Sequence, residues 1–306
     1  MIHPARPPPI PVDYRRALRP PELGRTAYLG LMGNGSPSTS DLFHALTLLQ
    51  GYSLGLSGVA QTSLAHGGAS NVDIGLLTAV DAMGPVQPSV VAESLGRPRS
   101  TLSRSITRLL AAGMIESRPV PGDRRRVNLT LGPEGRRSLA AFHAALADYF
   151  EDCAPIVKEV LLLLGRDTEA VLDKPAIEPS EAARRLATVG ATYVAAVEAA
   201  VAPYGIHAMV DRFAVAAIAH RGSIRPRQLA DELWLTPAGT TGVLDRLERA
   251  GLTRRDATGV ADDARGILVL LTPRGEAAAA AIIAVFAQHL EAILEVHSVR
   301  VSRGTP

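Results

Sequence analysis

The residues in this chain with the clearest chemical potential are arginines set among short hydroxyls on one side of a helix. Between Pro98 and Ala112, Leu102, Ile106, Leu109 and Leu110 recur at helical spacing and form one apolar stripe. The other side carries Ser100, Thr101, Arg104, Thr107 and Arg108. Such a helix can bury its stripe in a domain and turn donors toward a DNA major groove. There an arginine meets guanine O6 and N7 with two hydrogen bonds, and hydroxyls reach other base edges. Arg104, Ser100 and Thr101 are therefore the expected base readers, and Arg97, Arg99 and Arg108 are placed to meet phosphates. Taken alone, the same pattern also describes an ordinary solvated helix face, so the neighbouring elements decide.

Those elements read as follows. Ser40 or Asp41 can cap a helix running toward Leu64. A second helix over 70–83 stops at Gly84-Pro85, and a short third spans about 88–95. The arginine-bearing helix ends at Gly113, a residue suited to a left-handed cap. Met114 to Arg118 reads as a strand, Val120 to Arg126 as a turn-forming loop and Val127 to Leu131 as the return strand. Pro133 opens a long helix with an expected break near Pro155. Helix, helix, turn, helix and hairpin in this order make a winged helix-turn-helix. The hairpin tip holds Asp123, Arg124, Arg125 and Arg126. Arg125 is expected to reach a minor groove or its phosphates, where a narrow groove attracts guanidinium. Asp123 either orients Arg125 or is a plain turn residue.

The pattern recurs when the chain is shifted by 138 positions. Asp73 falls on Asp211, Gly84 on Gly222, Pro88 on Pro226, Leu95 on Leu233, Arg108-Leu109 on Arg246-Leu247 and Ala112-Gly113 on Ala250-Gly251. After a two-residue insertion in the second hairpin, Asp123 meets Asp263, Arg125 meets Arg265, and Pro133-Glu134-Gly135 meets Pro273-Arg274-Gly275. The chain is thus expected to hold a Pro-rich basic arm at 1–39, one winged-helix domain at 40–164, a linker at 165–180 and a second winged-helix domain at 181–298. The fold class is mainly α with small β-wings.

Both halves resemble the MarR family of bacterial regulators. The second half carries the resemblance in Leu235 to Leu252, which looks like the family's recognition helix and its exit, and in Leu271-Thr-Pro-x-Gly275. The first half reads Leu131-Gly-Pro-Glu-Gly135, and both wings keep Asp-x-Arg. The resemblance implies DNA-binding repressors that pair as homodimers through their terminal helices. With both copies in one chain it implies a single-chain pseudo-dimer, leaving open whether the chain itself is a monomer or a dimer. It also implies a small-molecule effector bound between the dimerisation helices and the DNA-binding lobe, with His44, Tyr52, Phe142 and Tyr149 as lining groups. Core packing is the plainer reading of each of these four.

The two copies are unequal. From Arg97 to Arg126 eight arginines face Glu116 and Asp123, a net of +6. From Leu235 to Gly266 five arginines face five acids, a net of zero. Ser100, Thr101 and Arg104 are replaced by Ala238, Gly239 and Gly242. Because affinity for duplex DNA scales with the phosphates neutralised, the first half should supply most of it. The second would read DNA weakly, through Thr241, Arg246 and Arg265. The alternative, to which the neutral second half gives weight, is that the whole chain is a tandem winged-helix module that binds protein, with DNA binding weak or lost.

Other chemistries find little support. One cysteine, Cys153, excludes an intramolecular disulfide and a cysteine-based zinc site, and the histidines show no metal-ligand spacing. No nucleotide-binding loop or catalytic triad is legible, so neither an enzyme nor a cofactor is expected. No stretch reaches about 18 unbroken apolar residues, so no membrane partner is expected and the cytoplasm is the default compartment.

Overall fold

The computed structural model describes residues 37–63, 71–96, 99–120, 122–169, 175–256 and 267–302. The chain forms α1 (Thr39–Ser63), α2 (Asn71–Met83), α3 (Pro88–Ser94), α4 (Arg99–Ala111), β1 (Ile115–Val120), β2 (Asp123–Leu131) and α5 (Pro133–Leu163). The same order follows in the second half: α6 (Pro179–Val201), α7 (Met209–Arg221), β3 (Ser223–Ile224), α8 (Pro226–Leu233), α9 (Pro237–Arg249), β4 (Thr253–Asp256), β5 (Leu268–Leu271) and α10 (Pro273–His297).

Local chemistry explains most boundaries. Ser38 caps α1: its hydroxyl accepts from the Asp41 amide at 3.2 Å while the Asp41 carboxylate accepts from the Ser38 amide at 2.9 Å. The cap thus falls two residues before the expected Ser40. Proline stands in the first turn of α3, α5, α6, α8, α9 and α10, where a missing N–H costs nothing. Thr236 and Thr272 cap α9 and α10, each hydroxyl accepting at 3.1 Å from the amide three residues on.

Two expectations change. α5 runs unbroken through Pro155. Pro155 and Glu151, whose carbonyl the proline leaves without its helical donor, are both exposed, so water can satisfy that carbonyl. The loop foreseen at 120–126 is mostly strand. β1 and β2 pair from Ile115–Leu131 out to Val120–Asp123, with an irregularity after Pro119. Arg124, Arg125 and Arg126 therefore lie on β2.

In the second half β3, β5 and β4 form an antiparallel sheet. In the first, a single bridge between Val86 and Leu129 stands where Ile224 pairs with Val269.

Within each half the first and last helices pack together, α1 on α5 and α6 on α10. Between halves the packings include two reciprocal pairs, α1 on α7 with α6 on α2 and α5 on α6 with α10 on α1, and the equivalent helices α5 and α10 also meet. One hydrophobic core runs through both, from Phe43 and Leu46 to Phe286 and Leu294. The chain also crosses back at its end, with Ile177 donating to Arg300 O at 2.8 Å and accepting from the Ser302 amide at 2.9 Å. By length and hydropathy alone, α10 and α6 with its extension to Tyr204 would suffice to cross a membrane. Here they pack against each other.

Candidate nucleic-acid interface

α4 is positioned by a turn and a buried stripe. Gly96, at φ +56°, takes the left-handed conformation that lets α3 turn into α4, and an L side chain would strain it. Leu102 and Leu109 are buried and Ile106 packs partly against the core, whereas Leu110, expected in the same stripe, is exposed. Arg99, Ser100, Arg104, Thr107 and Arg108 are exposed on the far side. Among the described residues Arg99 and Arg104 make no ion pair, which leaves both guanidinium groups available to an outside anion. Arg97 lies outside the described residues, as does the side chain of Thr101.

Arg108 has a partner inside the fold. Its Nη2 donates to both Asp73 carboxylate oxygens at 2.7 Å. Asp73 is only 1% exposed, whereas the Arg108 side chain is 53% exposed. The guanidinium thus compensates a carboxylate in α2 and ties α4 to it, with one side still facing out. The second half repeats the device. Arg246 Nε and Nη2 donate to Asp211 at 3.1 and 2.6 Å, and the carboxylate holds the Arg246 pKa above its ordinary value. The sequence recurrence pairs Asp73 with Asp211 and Arg108 with Arg246, but only the fold brings acid to base.

The second recognition-like face is poorer in free charge. Arg254 pairs with Asp256, and Arg255 reaches Asp245 at 2.5 Å and Glu248 at 3.3 Å. Thr241 is exposed but donates to Pro237 O at 3.0 Å within its own helix. The turn before α9 is made by Trp234 at φ +51°, the position of Gly96 in the first half. Asp263 and Arg265 lie outside the described residues.

The wing of the first half extends as the β1–β2 ribbon, with Asp123 half-buried at the start of β2 and Arg126 exposed. The side chains of Arg124 and Arg125 are outside the described ones. The base of the wing is locked to α5 by close approach. A Cβ at Gly135 would stand 1.9 Å from Met114 O, and one at Gly275 would stand 2.0 Å from Leu252 O. Gly132, where the second half has Thr272, is similarly constrained: its Cβ would lie 2.2 Å from Gly113 O.

A cavity of about 620 Å³ lies between the halves, lined from α1, α2, α5, α6, α7 and α10. Of the four lining groups expected, Phe142 reaches it. His44 does not; it stacks on His220 across the α1–α7 contact at 5.0 Å. Tyr149 is fully buried in the core, where its ring would meet a Cβ on Gly55 at 3.1 Å. The side chain of Tyr52 is outside the described ones. Sequence reasoning missed Gln50 and Arg212, two buried polar residues that line the cavity. Gln50 Oε1 and Arg212 Nε have no hydrogen-bond partner. Cys153 is buried, and burial pushes its thiol up to about 12, which makes it inert.

A helix-turn-helix followed by a two-stranded wing and a long helix defines the winged-helix class. Residues 68–126 match the MarR family, so the first winged helix is of the MarR type. Three solved structures with local likeness are a mutant Escherichia coli MarR complexed with operator DNA, RV1404 from Mycobacterium tuberculosis, and NadR in complex with 4-hydroxyphenylacetate. The first is 25% identical, covers 36% of this chain and 77% of its own, and has a TM-score of 0.30. RV1404 is 21% identical, with coverages of 40% and 83% and a TM-score of 0.34. NadR is 25% identical, with coverages of 36% and 77% and a TM-score of 0.31. No curated protein matches the chain.

Proposed function

We propose that this chain is a sequence-specific DNA-binding transcriptional regulator, a repressor, in which two winged-helix domains at 40–164 and 181–298 act as a single-chain pseudo-dimer in the cytoplasm. The observation that carries the reading is the exposed face of α4, with Arg99, Ser100 and Arg104 turned outward inside the MarR-matching segment. The reciprocal packing of α1 on α7 and α6 on α2 supports the pseudo-dimer, because a two-fold interface pairs each element with the counterpart of its partner. Two recognition helices would then sit about 34 Å apart, one DNA turn. A small effector in the cavity between the halves would alter that spacing. The halves are unequal readers: Arg104 and the arginines of β2 supply base and phosphate contacts, and Thr241, Arg246 and Arg265 add little.

Footprinting and gel shifts on the DNA flanking its own gene test this. Binding should fall steeply with salt, by the counterion release that phosphate contacts require. Protection should be stronger over one half-site. Undetectable or salt-insensitive binding overturns the reading. A second reading is favoured for the second half by its internally paired arginines, Arg246, Arg254 and Arg255: a winged-helix surface for a protein partner. A symmetric footprint excludes it.

A further inference from the structure

The cavity is a single space shared by matched positions of the two halves. Ile74 in α2 and Arg212 in α7 both line it, and they are counterparts at the 138-residue shift. So are Leu56 and Val194. The wall contributed by α1 runs from Leu46 to Gln61 and that of α6 from Ala183 to Glu198. At 1.5 Å per helical residue each wall is on the order of 22 Å long. The space is therefore elongated, and its lining is mostly aliphatic and aromatic.

Two charges break the match, Arg212 and its partner Glu198, and both line the cavity. Arg212 is 7% exposed, and its Nε has no hydrogen-bond partner. Its Nη2 makes a long contact of 3.3 Å to Glu198, whose side chain is 46% exposed. Glu198 meets the guanidinium only at Nη2, so the buried Nε donor still costs free energy unless a further acceptor meets it. Tyr193 lines the same space close enough to feel the Arg212 charge. Burial pushes its phenol up to about 12, so it stays a hydrogen-bond donor. The opposite half offers Ile74 at the matched position, so the anion subsite occurs once.

We infer that the cavity binds one long-chain aliphatic carboxylate per chain, its head on Arg212 and its alkyl body lying between α1 and α6. The length of the space favours a long acyl chain over a compact aromatic acid, and the single arginine favours one ligand over two. The inference deepens the effector part of the proposed function. It is tested without DNA, so a failure of DNA recognition leaves it standing.

Titration calorimetry on the full chain, below the micellar range, compares octanoate, dodecanoate, hexadecanoate, hexadecanol and benzoate. The expected result is one site per chain, affinity rising with chain length, benzoate weakest, and hexadecanoate about tenfold or more tighter than hexadecanol. Arg212→Met should bring acid and alcohol to equal affinity while retaining alcohol binding, and Arg212→Lys should restore part of the preference. Two sites, no gain with chain length, or equal binding of acid and alcohol by the native chain would overturn the inference. The native acid-to-alcohol ratio decides the matter even if the variants fold poorly.

Discussion

The arginines of the two recognition-like helices divide into those committed inside the fold and those left for an outside partner, and substitution should separate the groups. Arg104 has no internal ion pair among the described residues, so Arg104→Ala should leave thermal stability unchanged. It should cost specific DNA binding about 1–3 kcal/mol, the worth of one bidentate base contact. Arg108 bonds Asp73, and its loss leaves a carboxylate buried at 1% exposure without that guanidinium. Arg108→Ala should therefore destabilise the chain by about 1–3 kcal/mol, measured by denaturant unfolding. Asp73→Asn should be milder, because it leaves only a half-exposed arginine behind. Equal stability of Arg108→Ala and the native chain would show that the brace is idle. The arginine-bearing face was legible in the sequence because helical period and residue type suffice to draw it. The brace was not, since contact across 35 residues depends on how α2 and α4 cross. Arg212 was hidden for the same reason: nothing in its neighbours along the chain marks an arginine as buried.

Elements are held by backbone approaches and by one contact made on only one side of the molecule. Gly135 and Gly275 sit where a Cβ would overlap a carbonyl oxygen at 1.9 and 2.0 Å. Gly135→Ala must push α5 from the base of the wing, and should cost about 1–3 kcal/mol or more, as overpacking does. Gly51 has open space around it, so Gly51→Ala in α1 is the matched control. The helices and strands themselves followed closely from apolar period, proline at first turns and glycine at ends. The exceptions were set by exposure at Pro155 and by ladder pairing at 123–126.

The His44–His220 stack joins α1 to α7 and has no counterpart, since Ala182 and Ala82 occupy the matched positions. Burial lowers both pKa values, that of His220 to about 4. Glu159 and Asp41 act against this at His44, and Arg221 adds to it at both rings. The unfolded chain protonates His220 near pH 6.5 and the folded chain only near 4, and His44 is shifted in the same direction. Stability from this contact should be full above about pH 6.5 and drain away as pH falls toward 4. Thermal melts across that window should show a shallower slope for His220→Gln than for the native chain. An unchanged slope would place the acid sensitivity elsewhere.

At the scale of the whole molecule, the proposal of unequal halves predicts unequal effects on DNA. Arg125→Ala should weaken binding clearly and lower the salt slope by about 1, while Arg265→Ala should do little. Equal losses would contradict the asymmetry. The recurrence over 138 residues made the repeated order of elements readable from the sequence. It could not reveal the cavity lined from both halves, because that space belongs to no single copy.

The reciprocal packing of α1 on α7 and of α2 on α6 also bears on how the chain is made. A ribosome releases α1 and α2 well before their partners exist. The faces they turn to α7 and α6 must wait uncovered until about a hundred or more further residues have emerged. Contacts so distant in sequence close late and slowly. A nascent chain halted after α5 would be a client for chaperones and a target for proteases, whatever its first half could recognise. Evolution could tune the exposed faces of α4 and α9 separately, but birth order binds their assembly into one event.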